Sequence, residues 1–303
     1  MPKALIFECQ RVQPAALSLL LDRGYEITAT KAPLHSFRHD RSAEIILWPV
    51  EYRFGKAERA SFPNLRVLIS ASTTDRHISK DAVAGIQVVT LKNIPYEKLA
   101  KITPTMEHTI GLIWAVTRHI VPTMDQGVWT RYTAPGAKMW SRSSIALLGK
   151  GRIASGLVPR LQGLFHWVTQ FSSFNEFLGQ IRPYDIVSLH LPPTDDGKPI
   201  ITEEFLNLQK CHYLINTAQG DMVDEQAVVG ALKAGLLKGY AADCLAGEYS
   251  PKFDMRRSPF WEASNRGANI ILTPHSGGST LDAWSETQCL VLAEAIRLME
   301  IGQ

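Results

Sequence analysis

The sequence predicts an α/β protein built on two parallel sheets, each flanked by helices. Three observations carry this. Short apolar runs alternate along the chain with stretches of helical period, and no repeat or low-complexity tract interrupts them. The 303 residues suffice for two such domains, each with its own core. One apolar run, Ser144-Ile-Ala-Leu-Leu-Gly149, passes directly into a glycine turn and a helical stretch, the order of a parallel strand–turn–helix unit.

Taken in order, residues 4–7 read as a strand and 14–22 as a helix, opened by Pro14 and stopped at Gly24. Strands follow over 25–28, 45–50, 65–70 and 86–91, which makes residues 1–95 a first, flavodoxin-like domain. Residues 93–101 form the crossing linker. A long helix is expected from Thr105 to about Met124, and Trp129 and Trp140 flank a polar loop as packing or subunit-contact residues. Residues 96–275 form a Rossmann domain. The amphipathic stretch 280–299 lies in a C-terminal segment, 276–303, that returns as a helix to the first domain. The expected architecture is two Rossmann/flavodoxin-like domains with a cleft between them, and ligands would meet strand ends there.

The glycine turn has a physical reading of its own. In Gly149-Lys-Gly151-Arg152-Ile153-Ala154 the first glycine permits a tight turn and the second lets pyrophosphate approach the backbone. A small residue follows at the helix–strand contact. Arg152 and Ile153 would stand beside the pyrophosphate at the helix N-terminus. The last element of this dinucleotide fingerprint, an acidic residue about 20 residues on at the next strand's end, is missing. That strand, 166–171, runs into Ser172-Ser173-Phe174-Asn175. Ser172 is then the residue nearest the ribose, and the cofactor is NAD or NADP.

A second constellation lies in Asn216-Thr217-Ala-Gln219-Gly220-Asp221-Met-Val-Asp224, in Glu248, and in Leu272-Thr-Pro-His275-Ser-Gly-Gly278. Together these resemble the catalytic half of the D-isomer-specific 2-hydroxyacid dehydrogenases, of the phosphoglycerate dehydrogenase type. The resemblance extends from about Leu65 to the C-terminal helix. It implies a catalytic set of His275, Glu248 and the residue at 219. His275 would protonate the carbonyl oxygen of a 2-oxo acid, and Glu248 would orient its ring and favour its charged form. The family has arginine where this chain has Gln219. An arginine grips a carboxylate with a planar fork of donors, whereas glutamine offers a neutral amide.

Other segments fit the same resemblance. Tyr184-Asp-Ile-Val-Ser-Leu-His190-Leu-Pro192 is similar to the strand passing under the adenosine, with Pro192 at the cofactor and His190 structural. Gly239-Tyr-Ala-Ala-Asp243 is similar to the strand whose aspartate faces the nicotinamide amide, and Thr217 and Gly278 would line that ring. Glu107 and His108, at the start of the long helix, read as capping and packing residues in what resembles a dimer-forming helix. Ser72, Thr73 and Arg76 fall in the family's substrate loop, where relatives resemble Thr-Thr-Gly-Leu-Asp-His-Ile-Asp. Here Thr74 takes the glycine position and Arg76 that of the aspartate before histidine. Arg76 is either a solvated residue of a repacked loop or the charge that Gln219 lacks.

Composition excludes other classes. Lys+Arg 32 against Asp+Glu 29 leaves +3, too mild for a nucleic-acid binder, and no basic stripe interleaves with aromatics. Cys9, Cys211, Cys244 and Cys289 show no metal-ligand spacing and read as reduced core residues, so no metal is expected. No apolar run is long enough to span a bilayer, and Met-Pro-Lys leads straight into a strand without a leader pattern; a cytoplasmic protein is expected. The reading is an NAD(P)-dependent oxidoreductase acting on a small-molecule 2-oxo or 2-hydroxy acid, as a homodimer. The alternative is a catalytically weak dinucleotide-binding sensor or scaffold, motivated by Gln219 and the missing ribose acid. A third reading is redox chemistry on a substrate that carries no carboxylate.

Overall fold

Apolar strands buried on both faces organise the chain into two parallel sheets. The computed structural model describes residues 1–7, 12–30, 41–121, 137–180, 182–194, 196–250 and 252–301; Cys9, Met124 and Trp129 lie outside them. The chain divides into two compact units, Met1–Ile102 with Ser279–Gln303, and Thr103–Gly278.

The first unit holds β1 (Lys3–Phe7), β2 (Glu26–Thr30), β3 (Ile45–Leu47), β4 (Val67–Ser70) and β5 (Gln87–Thr90). They are ordered β2-β1-β3-β4-β5, all parallel. This is the flavodoxin-like order. Period-two alternation distributes each strand between two cores: Ala4 and Ile6 face one, Leu5 and Phe7 the other. On the first face, Ala16 and Leu20 of α1 (Pro14–Leu21) join Val291, Leu292, Ala295 and Ile296 of the C-terminal helix, Leu281–Ile301. On the second, the rings of Phe7, Trp48 and Phe54 meet edge to face at about 5 Å. There α2 (Lys56–Ser61) borders Phe54 and Phe62, and the short α3 (Tyr96–Leu99) follows β5.

The second unit begins with α4 (Pro104–Thr117) and runs β6 (Ser144–Leu148), α5 (Arg152–Gln162), β7 (Trp167–Phe171), α6 (Phe174–Leu178), β8 (Ile186–Leu189) and α7 (Glu203–Gln209). It continues with β9 (Tyr213–Asn216), α8 (Glu225–Lys233), β10 (Gly239–Ala242), α9 (Pro259–Asn265) and β11 (Ile270–Leu272). Its sheet has the order β11-β10-β9-β8-β6-β7, again entirely parallel. Ile145 and Leu147 face α4 and α5, while Ala146 and Leu148 face the side covered by α6 to α9. Each fully buried leucine here contributes roughly 2 kcal/mol.

Two elements are shorter than their sequence pattern. The apolar run 45–50 forms a strand only to Leu47, because Pro49 has no N–H to give the ladder. The helix from residue 104 ends at Thr117: His119 takes φ 52°, and its ring bonds the Tyr213 hydroxyl at 3.2 Å. Trp140 packs in a stack on Phe165 at 4.8 Å and donates to Thr117 Oγ1. Cys211 and Cys244 are buried thiols, and burial pushes Cys211 up to about 12. Among the described residues no helix is long and apolar enough to cross a membrane.

Candidate active site

In a parallel sheet every strand ends at the same edge, so the turns after β6, β7, β8, β9, β10 and β11 gather along one rim. All but two of the fifteen residues singled out in this unit and the first lie just beyond a strand's carboxyl end. The exceptions are Arg152 and Ile153, in the first turn of α5. Gly149 and Gly151 follow β6, Ser172 follows β7 and Pro192 follows β8. Thr217 and Gln219 follow β9, Asp243 and Glu248 follow β10, and His275 and Gly278 follow β11.

The glycine turn is built for a ligand that lies against backbone. Gly149 has φ 131°, and a Cβ there would fall 2.4 Å from the His190 carbonyl oxygen, so only glycine fits. Its N–H donates to Phe171 O at 2.8 Å, and its carbonyl accepts from Gln170 Nε2 at 2.9 Å. Gly151 is different: it has ordinary φ −73°, and a Cβ there would meet nothing within 4 Å. The first glycine closes the turn and the second leaves an open face above the start of α5, where Arg152 and Ile153 are half-buried. Ala154, fully buried, makes the helix–sheet contact. These features fit a dinucleotide pyrophosphate.

His190, beside this turn, bonds the Ser188 hydroxyl at 2.9 Å, and burial lowers its pKa to about 3. It is a neutral structural group. Ser172 donates both its N–H, at 2.7 Å, and its hydroxyl to one carboxylate oxygen of Glu176. Pro192 is exposed.

On the other half of the rim, His275 and Glu248 meet. His275 Nδ1 lies 2.7 Å from Glu248 Oε1. The glutamate side chain is 14% exposed and the histidine 43%, so one partner is shielded and the other accessible. Tyr249 stands with its ring 6.1 Å from the imidazole. His275 sits at φ 50°, a conformation that a histidine adopts only when its surroundings impose it.

The imposing group is Asp243. Its carboxylate is almost fully buried and accepts from Ser276 N at 2.9 Å, Gly277 N at 2.8 Å and the Thr273 hydroxyl at 2.6 Å. His108 of α4 closes this network, 3.3 Å from Asp243 and 2.8 Å from Thr273 Oγ1. His108 is therefore part of the polar support of the loop and more than a packing residue. Glu107 accepts from the Thr103 hydroxyl at 2.5 Å at the helix start. Thr217 shares a hydrogen bond with Thr109 of the same helix at 3.0 Å.

The loop bearing Glu248 is fixed from below. A Cβ on Gly220 would fall 1.9 Å from the Leu245 carbonyl carbon, so the turn after Gln219 presses directly on that loop. Asp221 accepts from Gly247 N at 3.1 Å, and Glu225 accepts from Ala246 N at 3.2 Å and from the Ser258 hydroxyl at 2.7 Å. Asn216 shapes the turn itself, with Nδ2 donating to Gln219 O and Oδ1 accepting from Ala218 N. The Gln219 side chain is half-buried. Sequence reasoning passed over Asp221, Glu225 and Glu176. Only Glu176 had a local signal, the Ser173-x-x-Glu176 pattern of a capping box.

The substrate-loop residues belong to the other unit and sit beyond β4. Ser72 Oγ accepts from Thr74 N at 3.1 Å, Ser72 O accepts from Leu91 N, and Asp75 pairs with Lys92 at 2.9 Å. Thr73 and Arg76 are exposed. His77 is buried against the Ser70 hydroxyl at 3.1 Å.

Comparison with known proteins agrees with this geometry. The profile of the "D-isomer specific 2-hydroxyacid dehydrogenase, NAD binding domain" matches residues 110–277. A glyoxylate reductase of Thermofilum pendens is 32% identical over 251 residues, 73% of this chain and 68% of that protein. A glycerate dehydrogenase of Methylorubrum extorquens is 28% identical, covering 73% of this chain and 72% of that one. The NAD-complexed D-isomer specific 2-hydroxyacid dehydrogenase of Lactobacillus delbrueckii ssp. bulgaricus shares the fold, with TM-score 0.75 and 19% identity over 99% of this chain and 98% of that one. With the fingerprint turn and the His275–Glu248 pair on one sheet edge, the chain belongs to the D-isomer specific 2-hydroxyacid dehydrogenases, oxidoreductases that act on CH–OH with NAD.

Proposed function

We propose that the protein interconverts a small 2-oxo acid and its 2-hydroxy acid, with His275 as the proton-transfer group. The observation that carries this is the 2.7 Å contact of His275 Nδ1 with the shielded carboxylate of Glu248, on an imidazole that is itself 43% exposed. Bound along the glycine turn, the nicotinamide cofactor supplies or takes up the hydride. Gly149, Gly151, Arg152, Ile153, Ser172 and Pro192 would hold its adenosine and pyrophosphate, and Thr217, Asp243 and Gly278 the nicotinamide end. In the reducing direction His275 Nε2 gives its proton to the carbonyl oxygen while Glu248 accepts the Nδ1–H bond and stabilises the charged ring. Asp243 holds Ser276 and Gly277 so that His275 keeps its left-handed backbone. In oxidation the same nitrogen takes the hydroxyl proton.

Gln219 is the departure that shapes substrate choice. Its amide can donate to a substrate carboxylate without neutralising it, which weakens a contact that arginine would make bidentate and charged. Small acids such as glyoxylate, named in the Thermofilum relative, are then the substrate class, taken with a high KM. Ser72, Thr73 and Arg76 are proposed as substrate-loop residues. A homodimer on α4 and a cytoplasmic location complete the reading.

The same glutamine favours a second reading, a dinucleotide-binding sensor with little turnover. NADH oxidation against a panel of 2-oxo acids separates the two. Turnover is expected with at least one acid, and His275→Ala should remove it by roughly 10²–10⁴-fold while NADH affinity stays within about twofold. Tight NADH binding without turnover on any acid would instead establish the sensor.

A further inference from the structure

We propose that Glu176 reads the adenosine ribose of the dinucleotide and sets a preference for NAD over NADP. The inference rests on the assignment of Gly149–Ile153 as the pyrophosphate turn. No acidic residue ends β7: Phe171 is followed by two serines. The structure nevertheless puts a carboxylate there.

The strand end itself lies beside the turn. Leu148 and Phe171 are register partners in β6 and β7, and Gly149 N donates to Phe171 O at 2.8 Å. Beyond it the chain enters α6, with Ser173 Oγ accepting from Glu176 N at 3.1 Å. The Glu176 side chain then folds back to the strand end, where its Oε2 takes both the N–H and the hydroxyl of Ser172. A group one helical turn along the chain thus occupies the place where a strand-terminal aspartate would stand. Glu176 is exposed, so its carboxylate is accessible to a donor from a ligand. Those two bonds from Ser172 also hold the carboxyl below its usual range, with a smaller contribution from the charge on Lys150.

The chemistry follows from charge. The vicinal hydroxyls of an adenosine ribose donate to a carboxylate, as the dinucleotide fingerprint requires. A 2′-phosphate brings up to two negative charges to the same point and is repelled. Glu176 also offsets Lys150, the cation of the turn itself, which would otherwise serve a phosphate.

A purely structural Glu176 would only cap the approach to α6. Glu176→Gln distinguishes the roles, since glutamine keeps an oxygen for Ser172 N–H but carries no charge. Kd values for NADH and NADPH are measured by titration of protein fluorescence in the full chain, with Tm followed in parallel. The wild type should bind NADH at least about tenfold more tightly than NADPH. Glu176→Gln should lose about tenfold in NADH affinity and narrow that ratio by tenfold or more, at unchanged Tm. Adding Lys150→Ala should remove whatever NADPH affinity the first change gained. An unchanged ratio in Glu176→Gln overturns the proposal and leaves Glu176 a capping residue. A wild type that binds neither nucleotide overturns the assignment of the glycine turn, and the inference with it.

Discussion

At the residue scale, the proposed function turns on Gln219. It occupies the turn that Asn216 shapes and that Gly220 presses against Leu245, so its backbone is firmly placed. Gln219→Arg should raise kcat/KM for glyoxylate by roughly 10- to 100-fold, mainly through KM, since a charged fork replaces a neutral amide. A fall in activity would show that the natural substrate carries no carboxylate at this point. Arg76→Ala should leave KM within about twofold; a sharp rise would make Arg76 the compensating cation. His275 and Gln219 stood out in the sequence because each sits in a motif with fixed spacing, and Glu248 through the family resemblance alone. Glu176 was not, because its position depends on a side chain folding back across a turn, which only the local structure shows.

Among the elements, the two glycines flanking this chemistry behave oppositely. Gly220→Ala would drive a methyl into the Leu245 carbonyl, and overpacking of this kind costs about 1–3 kcal/mol. It should also displace the loop that carries Glu248. Gly151→Ala meets open space at an ordinary φ, so Tm should hold while NADH affinity falls. Denaturation and NADH titration on both variants test this; equal losses of stability would contradict the geometry. The elements themselves were largely readable, from apolar runs buried on both faces to the proline start of α1. Their ends were not. β3 stops at a proline already in view, but α4 stops where His119 bonds Tyr213 of β9, a partner 94 residues away.

For the whole molecule, burial of neutral histidines ties stability to pH. His77 in the first unit, and His119, His190 and His212 in the second, all have lowered pKa values with burial as the leading cause. Unfolded histidines titrate near 6.5. Below that pH the unfolded chain binds protons that the folded chain refuses, so this stability is complete above about 6.5 and is lost as pH falls toward the folded values, about 3 for His190. Between pH 7.5 and 5 the Tm should drop by roughly 5 °C, and His190→Gln should flatten that slope. A slope unchanged in the variant would mean that His190 accepts a proton in place. The sequence by itself determined the two parallel sheets, the glycine turn and the residues that meet as the His275–Glu248 pair, because strand burial and motif spacing are local properties. Tertiary structure alone decided what supports them: Asp243 and His108 beneath His275, and Asp221 and Glu225 beneath Glu248. Those partners are brought together by the alignment of strand ends along one edge, and no local pattern encodes which polar groups will face each other there.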